Sequence, residues 1–300
     1  MTARYPPLLA IVFTLLGGCS ALGPTHDVKG PVPLNKAVAE VPENQLLDVW
    51  IELFDPGELP EDEDEAMGLS MDIRDAEARY IPEQLRATME STGHWGAVRV
   101  VPQETTGAEL LVQGSIIASD GERLALQIKA FDASGLEWFD RAYEQELIEG
   151  VYKARGLIRN PPSQDVFQSL YNTIANDLAE FRRTLTAGEI ETIRQVAELR
   201  FAADLSPEAF ADDLQVDKNG RYTVVHLPAA DDPMYQRVLA IRDRDFLLID
   251  TLNGHFDNFC REMDTPYNEW RKARSEEAAA LRKVERDAMQ RKLIGVAAIL

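Results

Sequence analysis

Few residues in this chain could carry chemistry. Its 300 residues include two cysteines and four histidines. A thiolate is the strongest side-chain nucleophile, and imidazole is the usual proton carrier near neutral pH. Cys19 follows Gly17 and Gly18 near the N-terminus. Cys260 ends the stretch His255-Phe256-Asp257-Asn258-Phe259-Cys260. His255 and Cys260 invite a nucleophile–base reading. Five residues along a helix is about 500°, or 140° around the axis, so the two side chains point apart. His26, His94 and His226 are scattered, and neither HExxH nor CxxC occurs, so zinc is not expected. No GxSxG, SxxK, phosphate-binding glycine loop or GxGxxG is present. Carboxylates are abundant, but nothing singles out a pair for acid–base work. The acidic run 55–65 lacks the alternating Asp/Asn/Gly spacing that wraps calcium, and reads as a solvated loop. His94-Trp95 could form a polar-aromatic binding tip; a turn residue beside a core tryptophan fits better. The expectation is a protein that is not an enzyme and holds no cofactor or metal.

The thiol with a readable context is Cys19. Before it stand Arg4, the apolar run 8–16, and Gly17-Gly18. A positive residue, a short apolar stretch and small residues at a cut site make a secretory signal peptide. The run is far short of the ~20 residues that span a bilayer. Leu16-Gly17-Gly18-Cys19 resembles the lipobox of bacterial lipoproteins. The resemblance implies a signal peptide over 1–18, cleavage after Gly18, and a thioether-linked diacylglycerol with palmitate-type chains on Cys19. Ser20 stands where such lipoproteins carry aspartate when kept in the inner membrane. The resemblance therefore implies the outer membrane, on the periplasmic side. Several acyl chains on one residue anchor firmly, at ~0.8 kcal/mol per buried CH2.

Charge narrows the partners. The net charge is −20, and the leader removes only the positive Arg4. Such a chain is a poor match for nucleic acid, whose phosphates demand a basic surface. Anionic headgroups would repel it too, so lipid rather than electrostatics would hold it at a membrane. Hydrophobic residues make up 45% of the chain, enough for a globular protein rather than a disordered one. With Cys19 lipidated, Cys260 has no partner within the chain. It is then either buried or open to an intermolecular bond, and its aromatic, helix-like surroundings favour burial.

These residues must be positioned by the rest of the chain. The stretch 19–44 carries Pro24, Gly30, Pro31, Pro33 and Pro42, and reads as a flexible lipidated tether. Strands are expected at 46–54, 95–101, 110–117, 122–131 and 136–145, with a helix over 73–91 after the first. Pro82 suggests a kink, or a start at Ile81-Pro82. Ser119-Asp120-Gly121 and the turn 132–135 read as hairpin turns. The order β-α-β-β-β-β over 45–150 gives a small α/β domain ending in a meander. The region 163–292 is mainly helical, so the fold class is α+β. Helices are expected from Ser163 to Thr184, and over 186–201 with a break at 187–189. Others start at Ser206-Pro207, at Asp232-Pro233 (carrying Met234, Val238, Ile241, Phe246, Leu248 and Leu252), and at Thr265-Pro266. A turn at 218–220 leads to a short strand over 222–227. The 266–292 helix has few apolar positions and reads as exposed or paired with a partner. The apolar tail 293–300 is either a docking segment or an end from which the natural chain continues.

The segment 77–145 looks like the N-terminal α/β domain of the TolB family, and like related envelope lipoproteins. These include the curli-secretion CsgG group and an activator of peptidoglycan synthases. Gly93, Trp95, Val98, Val100, Val101, Gly114, Leu124, Leu126, Ala130, Asp132 and Gly135 carry the likeness, over about a quarter of the chain. The helical half does not look like a β-propeller, and no pore-forming hairpin of the curli type is seen. The resemblance implies a fold and an envelope context, not an activity. The expected function is a periplasmic lipoprotein with a structural or assembly role, binding another envelope protein. The alternatives are a regulator of a peptidoglycan-building enzyme and a hydrolase with an unrecognised site.

Overall fold

The computed structural model describes residues 25–61, 69–103, 107–148, 150–156 and 164–297. The chain is α+β. In order come β1 (His26–Asp27), β2 (Val49–Glu52), α1 (Met71–Glu90), β3 (Val98–Val101), β4 (Leu110–Ser119), β5 (Arg123–Asp132) and β6 (Glu137–Glu146). Then follow α2 (Val151–Gly156), α3 (Gln168–Arg182), α4 (Ala187–Leu205), α5 (Pro207–Phe210), β7 (Leu214–Val216), β8 (Tyr222–Val224) and α6 (Pro233–Ala297).

Period-two alternation builds the main sheet. Leu124, Leu126, Ile128 and Ala130 of β5 face the core, and β4, β5 and β6 form an antiparallel meander. The sheet order is β1-β6-β5-β4-β2-β3, with β2 parallel to both β3 and β4. One face, through Val49, Ile51, Leu110 and Val112, packs on Ile81, Leu85 and Met89 of α1. Leu170, Ile174 and Leu178 of α3 and Ile190 and Ile193 of α4 complete that core. Gly114 sits where a Cβ would lie 2.5 Å from the Phe54 ring, so only glycine lets Phe54 close over β4. Gly135 has φ +80°, and a Cβ there would meet the Gly220 carbonyl at 2.4 Å.

Several expectations need correction. The stretch after residue 24 is not a free tether. β1 pairs in parallel with β6, and the Val28 N–H donates to the Glu144 carbonyl at 2.7 Å. Asn172 Nδ2 donates to the Val32 carbonyl at 2.7 Å, and Asn176 Oδ1 accepts the Asn35 N–H at 2.8 Å. Prolines remove some N–H groups, and side chains of α3 satisfy what the extended backbone still offers. Pro82 neither starts nor ends α1. Ser70 caps that helix, accepting from the Ile73 N–H at 3.3 Å. Ser163 lies outside the described residues, and α3 begins at Gln168. The expected break at 187–189 falls earlier, because Thr186 and Glu189 form a capping box that starts α4 at Ala187.

The largest difference is α6. Thr265-Pro266 opens no new helix: one helix of 65 residues runs through Pro266. At 1.5 Å per residue it is about 100 Å long. Among its described side chains, Tyr235, Val238, Asn253, Cys260, Tyr267, Arg271 and Ser275 are buried, spaced so that they follow one face. That face docks on both sides of Pro266, and packing offsets the one backbone bond that proline removes. Of the apolar residues this helix was expected to carry, Met234, Leu248 and Leu252 are exposed. The apolar tail divides: 293–297 continue α6, and 298–300 lie outside the described residues.

Candidate functional site

Cys19 lies outside the described residues, as do 62–65 of the acidic run. Cys260 is 5% exposed and packs with Tyr80, Tyr267, Met263 and Trp270. Burial pushes its thiol up to about 12, and Glu83 and Asp257 push the same way. Such a thiol is held neutral and unreactive. His255 and His226 are exposed. His26 stacks on Tyr143 with ring centroids 5.7 Å apart. His94 is pushed down by burial and then by Arg182 and Arg183. Its neighbour Trp95 is buried 6.3 Å from the Trp138 ring, so this pair is a turn residue beside a core tryptophan. The structure thus keeps the sequence candidates apart. No group of three or more His, Cys, Asp or Glu side chains among the described residues could hold a metal ion.

A different cluster is brought together, where α6 crosses α1. Arg271 is fully buried and binds Asp165 at 2.7 Å through Nη1. Its Nη2 donates to the Tyr267 hydroxyl at 2.9 Å, which donates to Glu77 Oε1 at 2.5 Å. Ser119 donates to the same oxygen at 2.5 Å. Tyr80 donates to Asp264 at 3.0 Å, and the Arg271 guanidinium lies 3.9 Å over the Tyr267 ring. Burial pushes the Glu77 carboxyl up, against the opposing pull of Ser119, Tyr267 and both nearby arginines. Arg74, on the same face of α1 as Glu77 and Tyr80, is 2% exposed. Among the described residues its ion-pair partner is Glu77, with Oε2 at 4.0 Å, and its Nε and Nη1 have no hydrogen-bond partner. Most of the cluster's hydroxyl and carboxylate oxygens bind one another or Arg271; Glu77 Oε2 is the exception, facing Arg74 without a hydrogen bond.

Sequence reasoning missed it because charged residues on a helix normally face water. One signal was available. Tyr267, Arg271 and Ser275 continue the spacing set by Asn253 and Cys260, so the docked face extends into a stretch with few apolar residues.

The same helix is strapped down along its length by further ion pairs. Arg242 meets Glu198 of α4 at 2.9 Å, Asp250 meets Arg99 of β3 at 2.6 Å, and Arg282 meets Glu122 at 2.7 Å. Asp257 binds Arg86 of α1. Beside this docked face lie Leu248, Leu252 and Phe259, exposed by 60, 44 and 38%. At 100° per residue the three fall within about 40° of one another. They form a narrow apolar strip open to solvent. No protein family, curated protein or solved structure matches the chain.

Proposed function

We propose that this chain is a membrane-anchored periplasmic lipoprotein with a structural or assembly role, binding another cell-envelope protein. The observation that carries this reading is Leu16-Gly17-Gly18-Cys19 at the end of a short apolar leader. On this reading the lipid on Cys19 does the anchoring, in the outer membrane and facing the periplasm. No described helix is long and apolar enough to cross a membrane. The partner surface assigned here is the strip Leu248, Leu252 and Phe259 on α6. An exposed apolar strip on a helix fixed by ion pairs on its other side suits a rigid docking face.

The test is a photo-crosslinking residue placed at Leu252 in cells, with Leu248→Asp and Phe259→Asp as controls. A discrete crosslinked envelope protein, lost in both controls, is expected. Repeated absence of any crosslinked partner overturns the assignment.

A further inference from the structure

Arg74 closes the floor of a cavity of about 710 Å3 that none of the preceding roles uses. Its walls are Pro60 and Leu69 before α1, the end of β4 with the following turn, and the Arg274–Arg282 stretch of α6. That volume is ordinary for a small-molecule site, which spans roughly 300–1,000 Å3.

Among the described residues, the charges around it are matched by hydrogen bonds except at Arg74, which faces Glu77 at 4.0 Å without one. Glu122 is taken by Arg282 at 2.7 Å and by Ser275 at 2.9 Å. Glu277 is taken by Arg274 at 3.2 Å, and Arg123 by Glu144 at 2.6 Å. Asp120 accepts the backbone N–H groups of Glu122 and Arg123 at 2.8 Å. Among the described residues, Arg74 Nε and Nη1 have no such acceptor. A guanidinium stays charged in proteins, and a buried charge lacking hydrogen bonds is costly. Glu77 Oε2, 4.0 Å away, is too far to serve. The Nε of Arg274, also buried and lining the cavity, lacks a partner too. Ile117, Ala278 and Leu281 give the cavity an apolar side.

We infer that this cavity binds a small organic anion, its carboxylate or phosphate group on Arg74 and its apolar body against Ile117 and Leu281. An arginine's planar N–H donors match either oxyanion. The site needs no lipid on Cys19, so it stands or falls apart from the function proposed above.

The experiment is isothermal titration of the full chain in non-ionic detergent with benzoate, phenyl phosphate, acetate and inorganic phosphate. Saturable binding of benzoate or phenyl phosphate is expected, tighter than that of acetate or inorganic phosphate. Which of the two binds more tightly distinguishes a carboxylate ligand from a phosphate one. Arg74→Met should weaken binding about tenfold or more, as expected for losing a charge-assisted hydrogen bond. Ala278→Trp keeps Arg74 and fills the cavity from α6; it should abolish binding, and it decides the matter if Arg74→Met does not fold. No binding of any of the four probes at millimolar concentration overturns the inference. So does binding that survives Ala278→Trp, or that survives Arg74→Met in a folded protein.

Discussion

The side-chain amide of Asn253 closes the outer edge of the sheet by pairing with the backbone of Val100. Its Nδ2 donates to the Val100 carbonyl at 2.8 Å, and its Oδ1 accepts the Val100 N–H at 2.7 Å. β3 is the edge strand, and an uncovered edge is a template for unwanted pairing. A helix side chain here does what another strand would do. Asn253→Leu should leave both backbone groups buried and unpaired, and cost about 2–4 kcal/mol. Urea unfolding measures the loss, and hydrogen exchange at the Val100 amide should speed up selectively.

The Arg271–Asp165 pair, both partners almost fully buried, predicts strong non-additivity. Arg271→Met should destabilise by about 3–5 kcal/mol, because it strands a buried carboxylate. The double variant Arg271→Met/Asp165→Asn should recover a large part of that loss. Simple additivity in a double-mutant cycle would contradict the coupling.

Burial pushes the Glu109 carboxyl up to about 7, against an ordinary 4.5, despite Arg194 at 3.5 Å. Glu83 is likewise pushed up to about 7 by burial. Between 4.5 and 7 the folded chain keeps protons that the unfolded chain has released. This contribution is therefore complete below the unfolded value and is lost as pH rises through the folded one. Glu109→Gln keeps an acceptor for the Asp48 N–H, which Glu109 binds at 2.8 Å. It should match the parent near pH 4.5 and exceed it at about pH 8, on the order of 1–3 kcal/mol. Thermal unfolding at the two pH values checks this; an equal change at both contradicts it.

The Cys260 thiol, buried and held protonated up to about 12, should resist an aromatic disulfide reagent in the folded chain. In denaturant it should react within seconds to minutes. Fast labelling of the native chain would place the thiol at the surface.

The meander was legible because Leu124, Leu126, Ile128 and Ala130 alternate strictly, and Gly121 and Gly135 mark its turns. The helix starts at Ser206-Pro207 and Asp232-Pro233 were legible because proline at the first helical position acts locally, and Asp232 also accepts from the Met234 and Tyr235 N–H groups. The docking of 25–37 was not. Besides the pairing of β1 with β6, its backbone groups are met by Ser169, Asn172 and Asn176 of a distant helix, and proline-rich composition fits a docked strap as well as a free tether. The continuity of α6 was hidden for a related reason. Pro266 gives a strong local start signal, while the forces that override it are the long-range contacts of Tyr267 and Arg271. Arg74 and Arg271 are the hardest cases, since only the assembled fold shows that these two charged side chains are buried.

A lipid on Cys19 changes both the mass and the membrane partition of the mature protein, to be measured after expression with its own leader in a Gram-negative host. The expected product has an N-terminal Cys19 bearing acyl chains, in the outer-membrane fraction, with palmitate labelling lost in Cys19→Ser. A soluble, unmodified product, or labelling unchanged in Cys19→Ser, would contradict it.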